Sequence, residues 1–92
     1  MDVDLGQVVY SIAGRDGGRV FVVVGIIDDK HVLISDGDLR RIEKAKKKKI
    51  KHIRATEEVI LPLKEKLERE DRVSNSEIRK ALAQLNTMES DI

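Results

Sequence analysis

Residues 13–28 read AGRDGGRVFVVVGIID, a glycine-rich turn with two arginines that runs directly into an apolar segment. Three glycines within residues 14–18 indicate a turn, because glycine permits positive φ angles and close backbone approach. The next segment, from Arg19 to Ile27, is rich in β-branched residues and predicts a strand. Its apolar residues occupy both faces, as expected for a strand that bends around a small barrel. Gly25 is the predicted bend or bulge in this strand.

The flanking segments predict the rest of a small β domain. Residues 7–12 and 31–35 have strand character. Further strands are predicted over residues 39–42 and 49–53, with the lysine run between them as a loop. An amphipathic helix over residues 39–53 is the alternative, because four apolar residues of that segment fall loosely on one helical face.

The last third of the chain predicts two helices. Pro62 suits the first turn of a helix, which would cover about residues 62–70. Ser74 and Glu77 have the spacing of a capping box, so a second helix is predicted over about residues 75–86. The acidic pair of helices, whose apolar stripe is short, is expected to pack on an open end of the barrel and add to the core, with a docking arm for a protein partner as the alternative.

The length of the chain, 92 residues, leaves room for one small barrel with an appendage. We expect a barrel over residues 1–55 and an acidic helical extension over residues 56–92. The absence of cysteine excludes disulfides and thiolate metal sites. The acidic N-terminus and the absence of a long apolar run favour a soluble, cytoplasmic protein.

The net charge of +1 hides an uneven distribution. Residues 1–55 contain 12 Lys and Arg against 8 Asp and Glu, whereas residues 56–92 contain 6 against 9. Residues 40–54 alone contain nine basic residues and one acidic residue. This asymmetry predicts a localised electropositive surface.

Phosphate is the anion that best matches this basic surface. Arginine forks pair with phosphate oxygens, and four adjacent lysines repel one another unless an anion neutralises them. A plain hairpin turn and a solvated loop are the alternatives. The residues predicted to contact phosphate are Arg15, Arg19, Arg40, Arg41, Lys44, Lys46, Lys47, Lys48, Lys49, Lys51 and Arg54. The predicted turn-shaping residues are Gly14, Asp16, Gly17 and Gly18.

The low aromatic content bears on the kind of nucleic acid. Tyr10 and Phe21 are the two aromatic residues, and Phe21 is predicted to lie in the core. Proteins that read single-stranded bases usually stack them on several aromatic or arginine planes. Structured RNA held by its shape and backbone is therefore favoured, with duplex DNA as the alternative.

The sequence predicts neither an enzyme nor a metal or cofactor site. His31 and His52 have no convergent carboxylate or cysteine set beside them in sequence, so we expect structural or surface roles. The aspartates at residues 28–29 and 36–38 suit turns and lack calcium-loop spacing. The turn at residues 14–18 lacks the Lys-Ser/Thr end of a phosphate-binding P-loop.

The run from Gly6 to Thr56 resembles a KOW domain, whose motif is a strand, a Gly-base-Asp-x-Gly-base turn and a valine-rich strand. These pieces correspond here to residues 8–12, 14–19 and 20–27. The run is more similar still to the "L fourteen e" family of archaeal and eukaryotic large-subunit ribosomal proteins. That family has a similar turn, a V-V-V-x-I-I-D strand and a basic segment before an Ile-x-His-like strand.

The resemblance implies an SH3-like barrel that binds RNA. The predicted fold class is therefore mainly β with C-terminal α, a five-stranded SH3-like barrel followed by two short helices. The predicted function is non-enzymatic binding to the phosphate backbone of structured RNA, with ribosomal RNA and the ribosome as candidate partners. The alternative is a protein-interaction module whose basic face binds an acidic protein. Phe21 stands where many KOW motifs have glycine. Residues after Thr56 are not expected to match the family, which makes the chain similar to a small free-standing bacterial KOW protein.

Overall fold

A computed structural model of the chain describes residues 3–12, 14–15 and 17–90, with side chains as far as Leu85. The strands are β1 (Gln7–Ser11), β2 (Val20–Ile26), β3 (His31–Ser35), β4 (Lys46–Lys49) and β5 (Ile53–Val59). The helices are α1 (Leu61–Glu68) and α2 (Asn75–Ser90), with short 3₁₀ turns at Ile42–Lys44 and Ile50–His52. The strands form one antiparallel sheet in the order β4-β3-β2-β1-β5. The predicted SH3-like, five-stranded architecture with two C-terminal helices is confirmed.

Strand β2 contributes to two separate cores, which explains why both of its faces are apolar. Phe21 and Val23 enter the barrel interior, whereas Val22 points to the opposite face of the sheet. All three side chains are fully buried, so the prediction that Phe21 lies in the core is confirmed. Burying an aliphatic or aromatic side chain of this size contributes about 1.5–3 kcal/mol. Both layers of the domain therefore depend on this one strand.

The members of the two cores come from different parts of the chain. The interior cluster comprises Val3, Val9, Phe21, Val23, Val32, Ile34 and Ile53. The second cluster comprises Val8, Val22, Leu63, Val73, Ile78 and Leu82, so α1 and α2 cover the outer face of β1 and β2. The helices thus pack on the outer face of the sheet and not, as expected, on an open end of the barrel, because the outward-facing valines of β1 and β2 need cover.

Gly25 lies at a β-bulge, as predicted. The pairing register of β2 with β3 shifts between Val23 and Gly25. A Cβ atom on Gly25 would stand 3.1 Å from the Leu33 side chain, so a larger residue would require Leu33 to move. The bulge bends β2 where the sheet curls around the interior core.

The prediction for residues 39–53 was wrong in both of its forms. Residues 46–49, expected to be a loop, are strand β4, and neither a strand over residues 39–42 nor a long helix forms. Lys46 pairs with Ile34 and Lys48 with Val32. Lysine has low strand propensity, but the outer edge of β3 presents backbone donors and acceptors that β4 satisfies. Tertiary pairing therefore overrides local preference here.

The C-terminal helices begin where their local signals predict. Pro62 lies in the first turn of α1, and the Glu77 backbone N–H donates to Ser74 Oγ at 3.1 Å at the start of α2. The Glu77 carboxylate accepts a hydrogen bond from Lys66 at 3.0 Å, which links α2 to α1. None of the described helices is long and apolar enough to cross a membrane.

The division between barrel and helical extension at residues 55 and 56 stays a prediction. Strand β5 runs without interruption through this position, from Ile53 to Val59. It begins four residues later than the predicted fifth strand, because residues 50–52 form a 3₁₀ turn.

Candidate nucleic-acid interface

The turn between β1 and β2 is shaped by glycine and by local hydrogen bonds. Gly14 and Gly18 have φ angles of +78° and +83°, a region that residues with a Cβ atom rarely adopt. The Gly17 N–H donates to Gly14 O at 3.2 Å, and the Gly18 N–H donates to Ser11 O at 2.7 Å. The Ser11 N–H in turn donates to Arg19 O at 3.0 Å. These bonds hold Gly17 and Gly18 against the end of β1 and the start of the turn.

The two arginines of this turn have different surroundings. Arg15 is exposed to solvent. Arg19 is 45% exposed, and its Nη2 lies 3.6 Å from Oδ2 of Asp36, a carboxylate that is only 10% exposed. The charge of Arg19 is therefore partly balanced within the protein. Asp16, the predicted turn-shaping carboxylate, lies outside the described residues.

One lysine of β4, Lys48, reaches the glycine turn. Lys46, Lys47 and Lys49 are exposed, whereas Lys48 is half-buried. A Cβ atom built on Gly14 would stand 3.6 Å from Lys48 Nζ. A basic residue that is more than thirty positions from the turn in sequence thus lies beside it in the fold.

Arg54 lies on the other side of the turn. It is exposed on β5, directly opposite Tyr10 of β1. Arg54 and Gly18 line one cleft of about 470 Å³ together with Tyr10, Ser11 and Ile12. The turn is therefore flanked by Lys48 on one side and by Arg54 on the other.

A third group of cations surrounds the 3₁₀ turn between β4 and β5. Lys51 and Lys49 line a cleft of about 500 Å³ with Lys30 and His31. Asp28 shapes this cleft, because its Oδ1 accepts the backbone N–H of Lys30 and of His31, each at 2.8 Å. The Lys30 N–H bond, followed by the bond to the His31 ring, lowers the pKa of Asp28 below its ordinary value.

Lys30 is a basic residue that the sequence analysis did not include. The pairing of β3 with β4 places His31 opposite Lys49 and so brings Lys30 to the same end of the sheet. With Lys46–Lys49 assigned to a loop, this register could not be derived. Recognition of a β3–β4 hairpin would have been the signal.

The remaining predicted residues, Arg40, Arg41 and Lys44, lie on the segment that docks against α2. Arg41 Nε is 3.6 Å from a Glu43 carboxylate oxygen. The adjacent Ile42 N–H donates to the Asn75 side chain at 2.8 Å. The bond to Asn75 anchors the segment to the N-terminal end of α2.

No protein-family model matches the chain. Comparison with individual curated proteins finds relatives named "Large ribosomal subunit protein eL14". The protein of Pyrobaculum calidifontis is 32% identical over 80 residues, which cover 87% of this chain and 71% of the relative. The proteins of Pyrobaculum arsenaticum and Staphylothermus marinus are each 34% identical over 58 residues, or 63% of this chain.

The extent of these matches differs between relatives. The chain spans only 56% and 60% of the proteins of P. arsenaticum and S. marinus. The match to the P. calidifontis protein covers 80 of the 92 residues and so continues past Thr56. The expectation that residues after Thr56 do not match was therefore wrong for this relative.

Proposed function

Because the chain belongs to the eL14 family of large ribosomal subunit proteins, we propose that it is a non-enzymatic RNA-binding protein whose ligand is ribosomal RNA. The relatives are named as ribosomal proteins, and the proposal extends that setting to this chain. It includes a cytoplasmic location and a role in translation. The family is the one that the sequence resembles through its Gly-Arg turn, valine-rich strand and basic segment.

The observation that carries the proposal is the position of Lys48 Nζ, 3.6 Å from the place of a Cβ atom on Gly14. It supports one surface on which the β1–β2 turn and strand β4 act together. The RNA backbone would meet Arg15 at the turn, the lysines of β4 beside it and Arg54 beyond it. Neutralising phosphates on this surface releases counterions, which is the main source of sequence-independent affinity.

The other predicted contacts fall into two groups. Lys51 extends the surface toward Lys30, where the cleft shaped by Asp28 presents further ammonium groups. Arg19, Arg40, Arg41 and Lys44 contribute less in this proposal. Arg19 and Arg41 already face carboxylates at 3.6 Å, and an anion must compete with those carboxylates for the cation.

A filter-binding titration at two salt concentrations tests the proposal. The ligands are a structured RNA, duplex DNA of the same length and an acidic polypeptide. We expect the RNA to bind most tightly, with log K falling by roughly 0.7–0.9 per log unit of salt for each phosphate neutralised. Equal, weak binding of all three polyanions would contradict the proposal. Tightest binding of the polypeptide would favour a protein-interaction module.

A further inference from the structure

The cleft beside the β1–β2 turn contains features that phosphate binding does not use. Its walls are Tyr10, Ser11, Ile12, Gly18 and Arg54. Ile12 is 53% exposed. A single exposed isoleucine is common on protein surfaces. Here, however, it shares a cleft with a phenol ring and a guanidinium group, both of which are planar groups on which nucleic-acid bases stack.

Three features of the fold position the walls of the cleft. Tyr10 and Arg54 are directly opposed on β1 and β5, so their side chains project from the same face of the sheet. Tyr10 also borders a small crevice with Leu82 of α2, which limits the space open to its ring. The Ile12 N–H donates to His52 O at 3.0 Å and fixes the end of β1. The cleft is therefore formed before any ligand binds.

We propose that this cleft binds one unpaired nucleobase of the RNA. The base would stack against Arg54 and Tyr10 and place an edge on Ile12. The phosphates on either side of it would lie near the arginines of the turn. A Cβ atom on Gly18 would meet nothing within 4 Å, so an RNA strand could pass over the rim of the cleft on that side. This inference rests on the proposed function and adds base contacts to a surface first expected to read only RNA shape and backbone.

The test compares two RNA hairpins with the same number of phosphates, one fully paired and one with a single bulged nucleotide. The variant is Ile12→Ala with Tyr10→Leu, which keeps the net charge but removes the apolar wall and the phenol plane. We expect its affinity for the bulged hairpin to fall about tenfold, within the range for losing one stacked base. Its affinity for the paired hairpin should change by less than about twofold, because the phosphate contacts remain.

Ile27→Ala is the matched control variant. Ile27 is also an exposed isoleucine, at 46%, and it follows β2 at the end away from the cleft. Its replacement should leave the affinity for both hairpins unchanged. A direct readout is the NMR signal of the Ile12 δ1 methyl group. Its chemical shift should change on addition of the bulged hairpin, because the ring current of the bound base acts on a neighbouring methyl group, whereas the Ile27 methyl signal should not change.

The outcomes separate this inference from the proposed function. Equal losses of affinity for both hairpins, or no loss for either, would overturn the nucleobase-binding cleft. The proposed function would still be upheld if the unmodified chain bound RNA in a salt-dependent way. If the unmodified chain bound neither hairpin, both proposals would fail. Should the double variant unfold, Ile12→Ala alone supplies the same comparison, because Ile12 is 53% exposed.

Discussion

Two turns of this domain are built from the same residue types but differ in what packs against them. The β1–β2 turn reads GRDGGR over residues 14–19, and the β3–β4 connection begins DGDLRR over residues 36–41. Both contain glycines at positive φ. A Cβ atom on Gly18 would enter open space, whereas one on Gly37 would overlap the backbone of Asn75 at the start of α2. One turn is open to a ligand and the other is closed by a helix.

The polar groups of the closed turn form hydrogen bonds within the protein. Arg79 of α2 donates to Gly37 O at 2.6 Å. Asp36 Oδ1 accepts the backbone N–H of Asp38 and of Arg40, each at 2.9 Å. The described backbone hydrogen bonds of the open turn lie within it and at the end of β1. Counting charges along a sequence treats these two segments alike, although the packing of α2 commits one of them to stability.

The largest difference is expected between alanine substitutions of the two glycines. Gly37→Ala should lower the free energy of unfolding by about 3 kcal/mol or more, because positive φ and overlap with Asn75 both oppose the new Cβ. Gly18→Ala should cost only about 1–2 kcal/mol, from the φ angle alone. Urea denaturation of both variants measures the difference. Equal losses would show that the two turns are not distinguished by packing.

Replacing the lysines of β4 should weaken RNA binding more than replacing the basic residues of the β3–β4 connection. Changing Lys46, Lys47, Lys48 and Lys49 to Gln should weaken RNA binding at least about tenfold. The slope of log K against the logarithm of the salt concentration should become shallower by up to about 3. The fold should persist, since β4 is held by backbone pairing. Changing Arg40, Arg41 and Lys44 to Gln is the comparison, with an expected loss of less than about threefold. Filter binding measures the losses, with circular dichroism as the folding control. Similar losses from both variants would contradict the larger role proposed for β4.

A smaller effect, of opposite sign, should follow from Asp36→Asn. The amide oxygen can keep the backbone hydrogen bonds of Asp36, while the charge that faces Arg19 at 3.6 Å is lost. With Arg19 free to pair with phosphate, RNA affinity should rise about two- to threefold, the scale of a partly exposed ion pair. Asp38→Asn removes an exposed charge in the same connection and is the control. A rise of the same size in both variants would point to general electrostatics instead.

The smallest effect is expected from an ion pair outside both turns. Lys64 Nζ donates to Asp4 Oδ2 at 2.6 Å, and this hydrogen bond lowers the pKa of Asp4 below its ordinary value of 3.8. A carboxyl with a lowered pKa stabilises the fold above its unfolded pKa and loses that contribution as pH falls through the folded value. Asp4→Asn should therefore lower the melting temperature slightly near pH 7.

The difference between Asp4→Asn and the unmodified chain should shrink as the pH falls through the lowered pKa of Asp4, because a protonated carboxyl and an amide are both uncharged. Thermal denaturation across this pH range measures it. RNA affinity should be unaffected, because the pair lies between the N-terminal segment and α1. A melting-temperature difference that persists at low pH would assign the effect to packing and not to charge.

Elements with strong local signals could be predicted from the sequence. The apolar run of β2, the bulge at Gly25, the burial of Phe21 and the start of α2 at Ser74 all follow from patterns within a few residues. Strand β4 could not be predicted, because four lysines have no intrinsic preference for a strand and are held there by β3.

The candidate site divides in the same way. The basic residues and the glycine turn are visible in the sequence, but their arrangement depends on long-range pairing. The proximity of Lys48 to Gly14 and the opposition of Arg54 to Tyr10 require the register of the whole sheet. The pairing of Arg19 with Asp36 likewise joins residues from two different turns.

The position of β4 at one end of the sheet also bears on how the chain behaves at high concentration. An edge strand offers unpaired backbone groups to any other strand and is a route to aggregation. Here that edge consists of four consecutive lysines, so the approach of a second copy would bring two rows of ammonium groups together. Like-charge repulsion opposes such growth of the sheet across molecules. The segment proposed to attract RNA thus also protects the free protein from self-association.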